Sequence, residues 1–273
     1  MSVLIAVTAL PCGLLIGLLL GALGGGGSIL AVPALVYVAG QSPHSATAGA
    51  LVVVAVGAVT GLACHAAAGR VRWATGAAFG TLGTAGTYLG SRWSAAVQPA
   101  VLMAAFAGLM CAVAVALLLR GLRERRAAQA ARGGVVQAPL PPLTGGAVSL
   151  RSRPVRVTAT ASAVGLLTGF FGVGGGFVVV PALTLVLGME MPLAVGTSLL
   201  VIVVNSATAL ATRAGSGVLD WPLLAGVAAC TAIGSYAGNR LAARLPSQVL
   251  STAFASLVAV LAVALAATAV PRL

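Results

Sequence analysis

At 273 residues, 60% hydrophobic and 7% charged, with a mean hydropathy of +1.11, the chain has too few charges to solvate a soluble domain of its size, because such domains carry about 25% charged residues. The net charge of +12 does not point to nucleic acid: all 15 basic residues are Arg, eight of them fall between Arg120 and Arg156, and 4% aromatics offer few stacking surfaces. Lipid is the solvent this composition fits.

Residues 1–40 carry no charge. They are too long for one crossing of about 20 residues and short for two crossings plus a loop. The run Gly24-Gly25-Gly26-Gly27 interrupts them, and such a run is poor helix because its backbone is costly to order. No basic stretch precedes the apolar residues 2–20, so this segment reads as retained and not as a cleaved signal. Segments 45–69, 73–91 and 99–119 are charge-free and read as three spans. Residues 121–155 are Arg-rich, then broken by Gln137-Ala138-Pro139-Leu140-Pro141-Pro142 and Gly145-Gly146, which predicts a polar linker held in the cytoplasm by its arginines. A second interrupted hairpin follows at 157–189, broken at Gly172-Val173-Gly174-Gly175-Gly176, and three further spans cover 191–212, 221–239 and 245–271. Cys12, Cys64, Cys111 and Cys230 stand singly with no CxxC pair, so packed thiols are expected and no metal site or cofactor.

A shift of 148 residues lays Gly24, Gly26 and Gly27 on Gly172, Gly174 and Gly175, Pro33-Ala34-Leu35 on Pro181-Ala182-Leu183, and Trp73 on Trp221. The same register lays Gly86-Thr87-Tyr88-x-Gly90-x-Arg92 on Gly234-Ser235-Tyr236-x-Gly238-x-Arg240. The chain is therefore expected to be two homologous membrane repeats, 1–120 and 156–273, joined by the linker. With the linker inside, Arg70 and Arg72 also lie inside, whereas their equivalents Val218 and Asp220 carry no positive charge. Arg240 and Arg244 mark the next loop of the second half, where the first half has only Arg92. Five segments per half put equivalent loops on opposite sides, which fits this asymmetry. The predicted fold is an all-α polytopic membrane protein of two inverted halves, each a glycine-broken helical hairpin plus three transmembrane helices, with both termini outside.

Polar backbone at membrane depth is tolerated only where it is buried in protein or lines a cavity. Transporters with repeated halves use such breaks to aim free N–H groups of half-helices at anions. Gly25, Gly26, Gly27 and Ser28 in the first half, with Gly174, Gly175 and Gly176 in the second, are the candidate substrate-binding turns. Gly13, Gly17 and Gly21 instead read as small-xxx-small helix packing. Polar residues inside the spans are the further substrate candidates: Thr197, Ser198 and Asn205 on one helix, His65 and its register equivalent Arg213, and Tyr88 with Tyr236. Snorkelling is an equal reading for Arg213, and contacts between halves for the tyrosines. Trp73 and Trp221 begin their spans as interfacial anchors. The three acids, Glu124, Glu190 and Asp220, all lie outside the spans, so a carboxylate-based proton relay, cation site or enzyme is not expected.

The paired Gly-x-Gly-Gly-Gly/Ser-x4-Pro-Ala-Leu elements, the Gly196-Thr197-Ser198-Leu199 stretch and the repeated Gly-Ser/Thr-Tyr-x-Gly-x-Arg resemble the sulfite exporter TauE/SafE family, bacterial inner-membrane permeases found also in archaea and plants. The resemblance covers the whole chain except the linker. It implies secondary transport of sulfite, sulfoacetate or other organosulfonates, with Gly24 to Ser28 and Gly172 to Gly176 as substrate elements. The first half departs from the pattern, with Thr47-Ala48-Gly49-Ala50-Leu51 where the second keeps Gly-Thr-Ser-Leu. The expected function is a non-enzymatic, multi-pass inner-membrane exporter of small sulfur-containing anions. A passive anion channel and an organosulfonate uptake permease are the alternatives. The expected partners are the bilayer and a small anion, with no nucleic acid; the reading is compatible with a homodimer.

Overall fold

The computed structural model describes residues 3–41, 43–94, 97, 105, 108–116, 119, 154–171, 176–212 and 221–269. The linker, Gly174, Gly175, Arg213 and most of the expected 99–119 span lie outside them. The elements among the described residues are all helical. In chain order they are α1 (Val3–Leu23), α2 (Gly26–Pro33), a π-helical turn (Ala34–Val38), α3 (Pro43–Ala67) and α4 (Trp73–Ser94). After them come α5 (Pro154–Phe171), α6 (Gly176–Leu185), α7 (Met191–Thr212), α8 (Trp221–Ala242) and α9 (Ser247–Ala269). A further helical stretch occupies 108–116.

The expectation of six apolar spans narrows here. Among the described helices only two, Ser45–Ala67 within α3 and Met191–Thr212, are both long and apolar enough to cross a membrane by composition alone. Helices α4 and α8 have 22 residues each, enough for a crossing of about 30 Å, but Gly, Thr and Ser dilute their apolar character. The reason is packing. Helix α1 lies along α8 and α5 along α4; α3 rests on α8 as α7 rests on α4; α3 crosses α7, and α2 meets α6. Each of these contacts joins one half of the chain to the other, and exchanging the halves turns each into another of the same set or into itself.

Glycine sets the closeness of the two seams. A Cβ at Gly13 would stand 2.8 Å from the Val227 carbonyl oxygen, and at Gly17 and Gly21 it would overlap the carbonyls of Thr231 and Ser235. From the other side, a Cβ at Gly234 or Gly238 would overlap the carbonyls of Leu14 and Leu18. The α4–α5 seam repeats this residue for residue, with Gly165 and Gly169 against Gly83 and Thr87, and Gly86 and Gly90 against Ser162 and Leu166. Hydroxyls complete the contact: Thr231 Oγ1 shares its proton between the Val227 carbonyl of its own helix at 2.8 Å and that of Gly13 at 3.0 Å, and Thr87 Oγ1 donates to the Gly165 carbonyl at 3.1 Å. In a bilayer, where apolar burial gains little between helices, such close backbone approach and hydroxyl bonding are what hold helices together.

The half-helices do not end at their prolines. Helix α2 includes Pro33 and continues as the π-helical turn, and α6 runs through Pro181 to Leu185. Proline has no N–H to give the preceding turn and crowds the carbonyl four residues back; in the first half a wider, π-helical turn follows it. Both stop at equivalent left-handed glycines, Gly40 (φ 65°) and Gly188 (φ 63°). Past them Gln41 N–H donates to the Leu35 carbonyl at 3.0 Å and Met189 N–H to that of Leu183 at 3.2 Å, closures that span one residue more than the six-to-one bond of a Schellman ending.

Candidate functional site

The first break is built by Gly24. Its φ of 72° is left-handed, a region open to glycine at little cost, and it turns the chain from the end of α1 into the start of α2. Gly25 precedes α2 and has no side chain to cap it, so the first N–H groups of α2 have no carbonyl ahead of them within that helix. Gly26, Gly27 and Ser28 are buried. A Cβ on Gly27 would overlap the Ile16 carbonyl, and one on Gly26 would come within 2.9 Å of Leu257 Cδ2 of α9.

Helix α7 lies across this break. A Cβ on Gly24 would stand 2.7 Å from Ser198 Oγ and 2.8 Å from Val195 Cα. Ser198 Oγ donates to the Val195 carbonyl at 2.7 Å and lies 3.3 Å from that of Gly24. The second break arrives at the same place: a Cβ on Gly176 would stand 2.8 Å from Gly25 Cα. The beginnings of α2 and α6 therefore meet backbone to backbone inside the protein, with Ile202 of α7 against Gly176. A helix beginning carries a partial positive charge and free donors, so two in contact favour a small anion.

The ends of the preceding helix are treated separately. His65, buried at 1% exposure, donates from Nε2 to the Gly21 carbonyl at 3.1 Å. That carbonyl is in the last turn of α1, where helical partners run out. A Cβ on Gly196 of α7 would stand 3.3 Å from His65 Cβ and overlap the Arg70 carbonyl. Thr197 Oγ1 accepts from the Arg72 N–H at 3.2 Å. The loop between α3 and α4 is thus laid over the start of α7.

The structure brings Gly25, Gly26, Gly27, Ser28, Gly176, Thr197, Ser198 and His65 into one region. Ser28 gives its proton inward, Oγ donating to the Gly25 carbonyl at 2.7 Å, so it stiffens the turn. Asn205 lies two turns beyond Ser198 at the crossing of α4 and α5: a Cβ on Gly83 would stand 3.4 Å from its Oδ1. Its Oδ1 and Nδ2 have no hydrogen-bond partner among the described residues. Tyr88 and Tyr236 do not join the cluster. They sit 46% and 48% exposed on α4 and α8, with Arg92 Nη1 3.4 Å and Arg240 Nη2 2.7 Å from their hydroxyls. Each guanidinium also lies over its ring, at 5.7 Å and 5.2 Å, because i and i+4 share a helix face. Gly174, Gly175 and Arg213 lie outside the described residues. Three neighbours of the break were not legible in the sequence, Val195, Ile202 and Leu257, since an apolar residue in an apolar span carries no mark of what it faces.

A family model, sulfite exporter TauE/SafE, matches residues 9–265. A probable membrane transporter protein of Xylella fastidiosa strain 9a5c is 33% identical over 224 residues, 82% of this chain and 79% of its own. One from strain Temecula1 is 36% identical over 203 residues, 74% of this chain and 71% of its own. The probable membrane transporter protein YdhB of Bacillus subtilis strain 168 is 25% identical over 239 residues, 88% and 91% of the two chains. No solved structure matches.

Proposed function

Because this chain belongs to the sulfite exporter TauE/SafE family and is a membrane transporter, we propose that it exports small sulfur-containing anions, sulfite or organosulfonates, across the bacterial inner membrane. The anion binds where the two half-helices begin, held by the backbone N–H groups of Gly25, Gly26 and Gly27 and by those of Gly174 to Gly176 in the second half. One observation carries this reading: Gly176 backs onto Gly25 with only 2.8 Å available to a Cβ, so two positive helix ends converge in the protein interior. The two halves lie inverted in the bilayer, with both termini outside and the linker in the cytoplasm. A site of dipoles and amides, with no carboxylate in the spans, suits outward movement. With the inside negative, an anion leaving gains ~2.3 kcal/mol per charge per 100 mV.

The test is flux through the purified chain in proteoliposomes, using radiolabelled sulfite, sulfate, sulfoacetate and taurine with potential and pH gradients imposed separately. Efflux of a sulfur anion, driven by a negative interior, is expected. Gly176→Ala is expected to cut that efflux at least tenfold with the protein still monodisperse, since Gly25 must move to admit the methyl group. No flux of any of the four solutes, or full flux in Gly176→Ala, overturns the reading. Single-channel currents in planar bilayers would identify a channel.

A further inference from the structure

His65 is the one buried imidazole among the described side chains, and it sits where the charge of the site changes sign. The break between α1 and α2 exposes two opposite poles within a few residues: the carbonyl end of α1, negative, and the amide end of α2, positive. The anion takes the positive pole. His65 takes the negative one, through its Nε2–H bond to the Gly21 carbonyl. A carbonyl only accepts, so Nε2 carries the hydrogen and Nδ1 of the neutral ring has a free lone pair. That Nδ1 is buried and has no partner among the described residues. It is the place where a proton can be added without breaking the cap.

The charges around the ring decide when that proton stays. From α1 the ring meets the Gly21 carbonyl, and α7 packs Gly196 against the Cβ of His65, with Thr197 and Ser198 next in its chain; none is charged. The loop after α3 brings Arg70 and Arg72, both positive; Arg70 N–H donates to the His65 carbonyl at 3.0 Å. The hydroxyls of α8 that face α3, such as Ser235, are neutral. Glu190 precedes α7 in an exposed turn, and the other two acids of the chain, Glu124 and Asp220, lie outside the described residues. A buried imidazolium is costly without a counter-charge, and the charges brought by the adjoining loop, Arg70 and Arg72, have the same sign. The counter-charge that fits is the transported anion, held four to six residues beyond Gly21 along the same break.

We propose that His65 is the seat of a coupling proton, bound at Nδ1 together with the anion and carried with it across the membrane. This rests on the anion site above. The balance is simple: Nδ1 takes one proton from water on the loading side as the anion enters, and returns it to water on the release side as the anion leaves. The unit carried has one negative charge fewer than the free anion. In the second half the carbonyl equivalent to that of Gly21 belongs to Gly169, which accepts from the Ser91 hydroxyl at 3.4 Å, a group that does not titrate; the described part of the second half offers no equivalent seat.

The test uses sulfoacetate, whose acid groups both stay ionised near neutral pH, so any proton that moves is the protein's. Proteoliposomes of the full chain are loaded with sulfoacetate and a pH-sensitive dye, and diluted into sulfoacetate-free buffer with the potential clamped. Efflux is expected to alkalinise the lumen by about one proton per anion, and to fall tenfold for each unit by which internal pH rises once Nδ1 is largely unprotonated. His65→Gln can still donate to the Gly21 carbonyl but has no titrating atom; whatever efflux it retains is expected to be pH-independent and to leave the lumen pH unchanged. Wild-type efflux without alkalinisation overturns the proposal while leaving the anion site standing, and so does pH-coupled efflux in His65→Gln. No wild-type efflux of sulfoacetate, sulfite, sulfate or taurine overturns both readings.

Discussion

Where α1 crosses α8, Gly57 of α3 lies against Thr231, so that a Cβ on Gly57 would come within 2.7 Å of Thr231 Cγ2. At the equivalent crossing of α5 and α4 the sizes are exchanged: Asn205 of α7 lies against Gly83. Both crossings fill the same space, but the first places the larger side chain on the seam helix and the second on the central helix. Thr231 uses its hydroxyl on the Gly13 carbonyl, whereas Asn205 has no partner among the described residues. At the helix ends the partners differ as well: His65 of α3 bonds the Gly21 carbonyl and Ser91 of α4 that of Gly169. Equivalent places share backbone geometry, and their side chains divide the work differently.

The largest expected effect tests the shared geometry. Gly17→Val and Gly165→Val each put a branched side chain into a carbonyl of the facing helix, and each is expected to lose of order 3 kcal/mol, at the upper end for overpacked sites. Thermal unfolding in detergent and the monodisperse fraction measure this. If one variant is tolerated while the other collapses, the two seams are not equivalent.

A middle-sized effect sharpens the exchange of sizes. Gly83→Thr alone is expected to destabilise by about 1–3 kcal/mol, because its Cβ would stand 3.2 Å from the Ala161 carbonyl and its methyl would meet Asn205. Adding Asn205→Gly recreates the first half's pairing, with the new hydroxyl in reach of the Ala161 carbonyl as Thr231 is of Gly13. The double variant is expected to recover about 1 kcal/mol relative to the sum of the singles. Strict additivity in a double-mutant cycle would show that the two crossings are not alternative solutions of one packing problem.

The smallest effect concerns the hydroxyls. Thr231→Val and Thr87→Val keep shape and remove the bond across each seam, and are each expected to cost about 0.6 kcal/mol, the mean for hydrogen bonds between membrane helices. A loss above about 2 kcal/mol in either would mean that its hydroxyl, and not the close glycine approach, holds that seam.

Much of this was legible in the chain. The shift of 148 residues that aligns Gly24 with Gly172 also aligns Gly17 with Gly165 and Gly86 with Gly234, and those glycines are the ones that admit the facing backbone. The broken first hairpin was equally visible, because a run of glycines inside an apolar segment has a direct physical consequence. Tyr88 and Tyr236 were expected at a cavity or in contacts between the halves; both stand about half exposed instead, each beside the Arg four residues on. His65 was marked as a candidate for being ionisable in a span, but nothing local says that it reaches the end of a helix 44 positions earlier.

The sequence by itself determined that the protein is helical and that its solvent is lipid, because composition and periodicity act on every residue alike. Only the tertiary structure decided that each half completes the other: which glycine faces which carbonyl, that Gly25 and Gly176 touch, and that His65 caps α1. Those contacts join residues more than 40 positions apart across faces of nearly uniform small and apolar side chains. Such faces fit many partners by composition and one partner by shape.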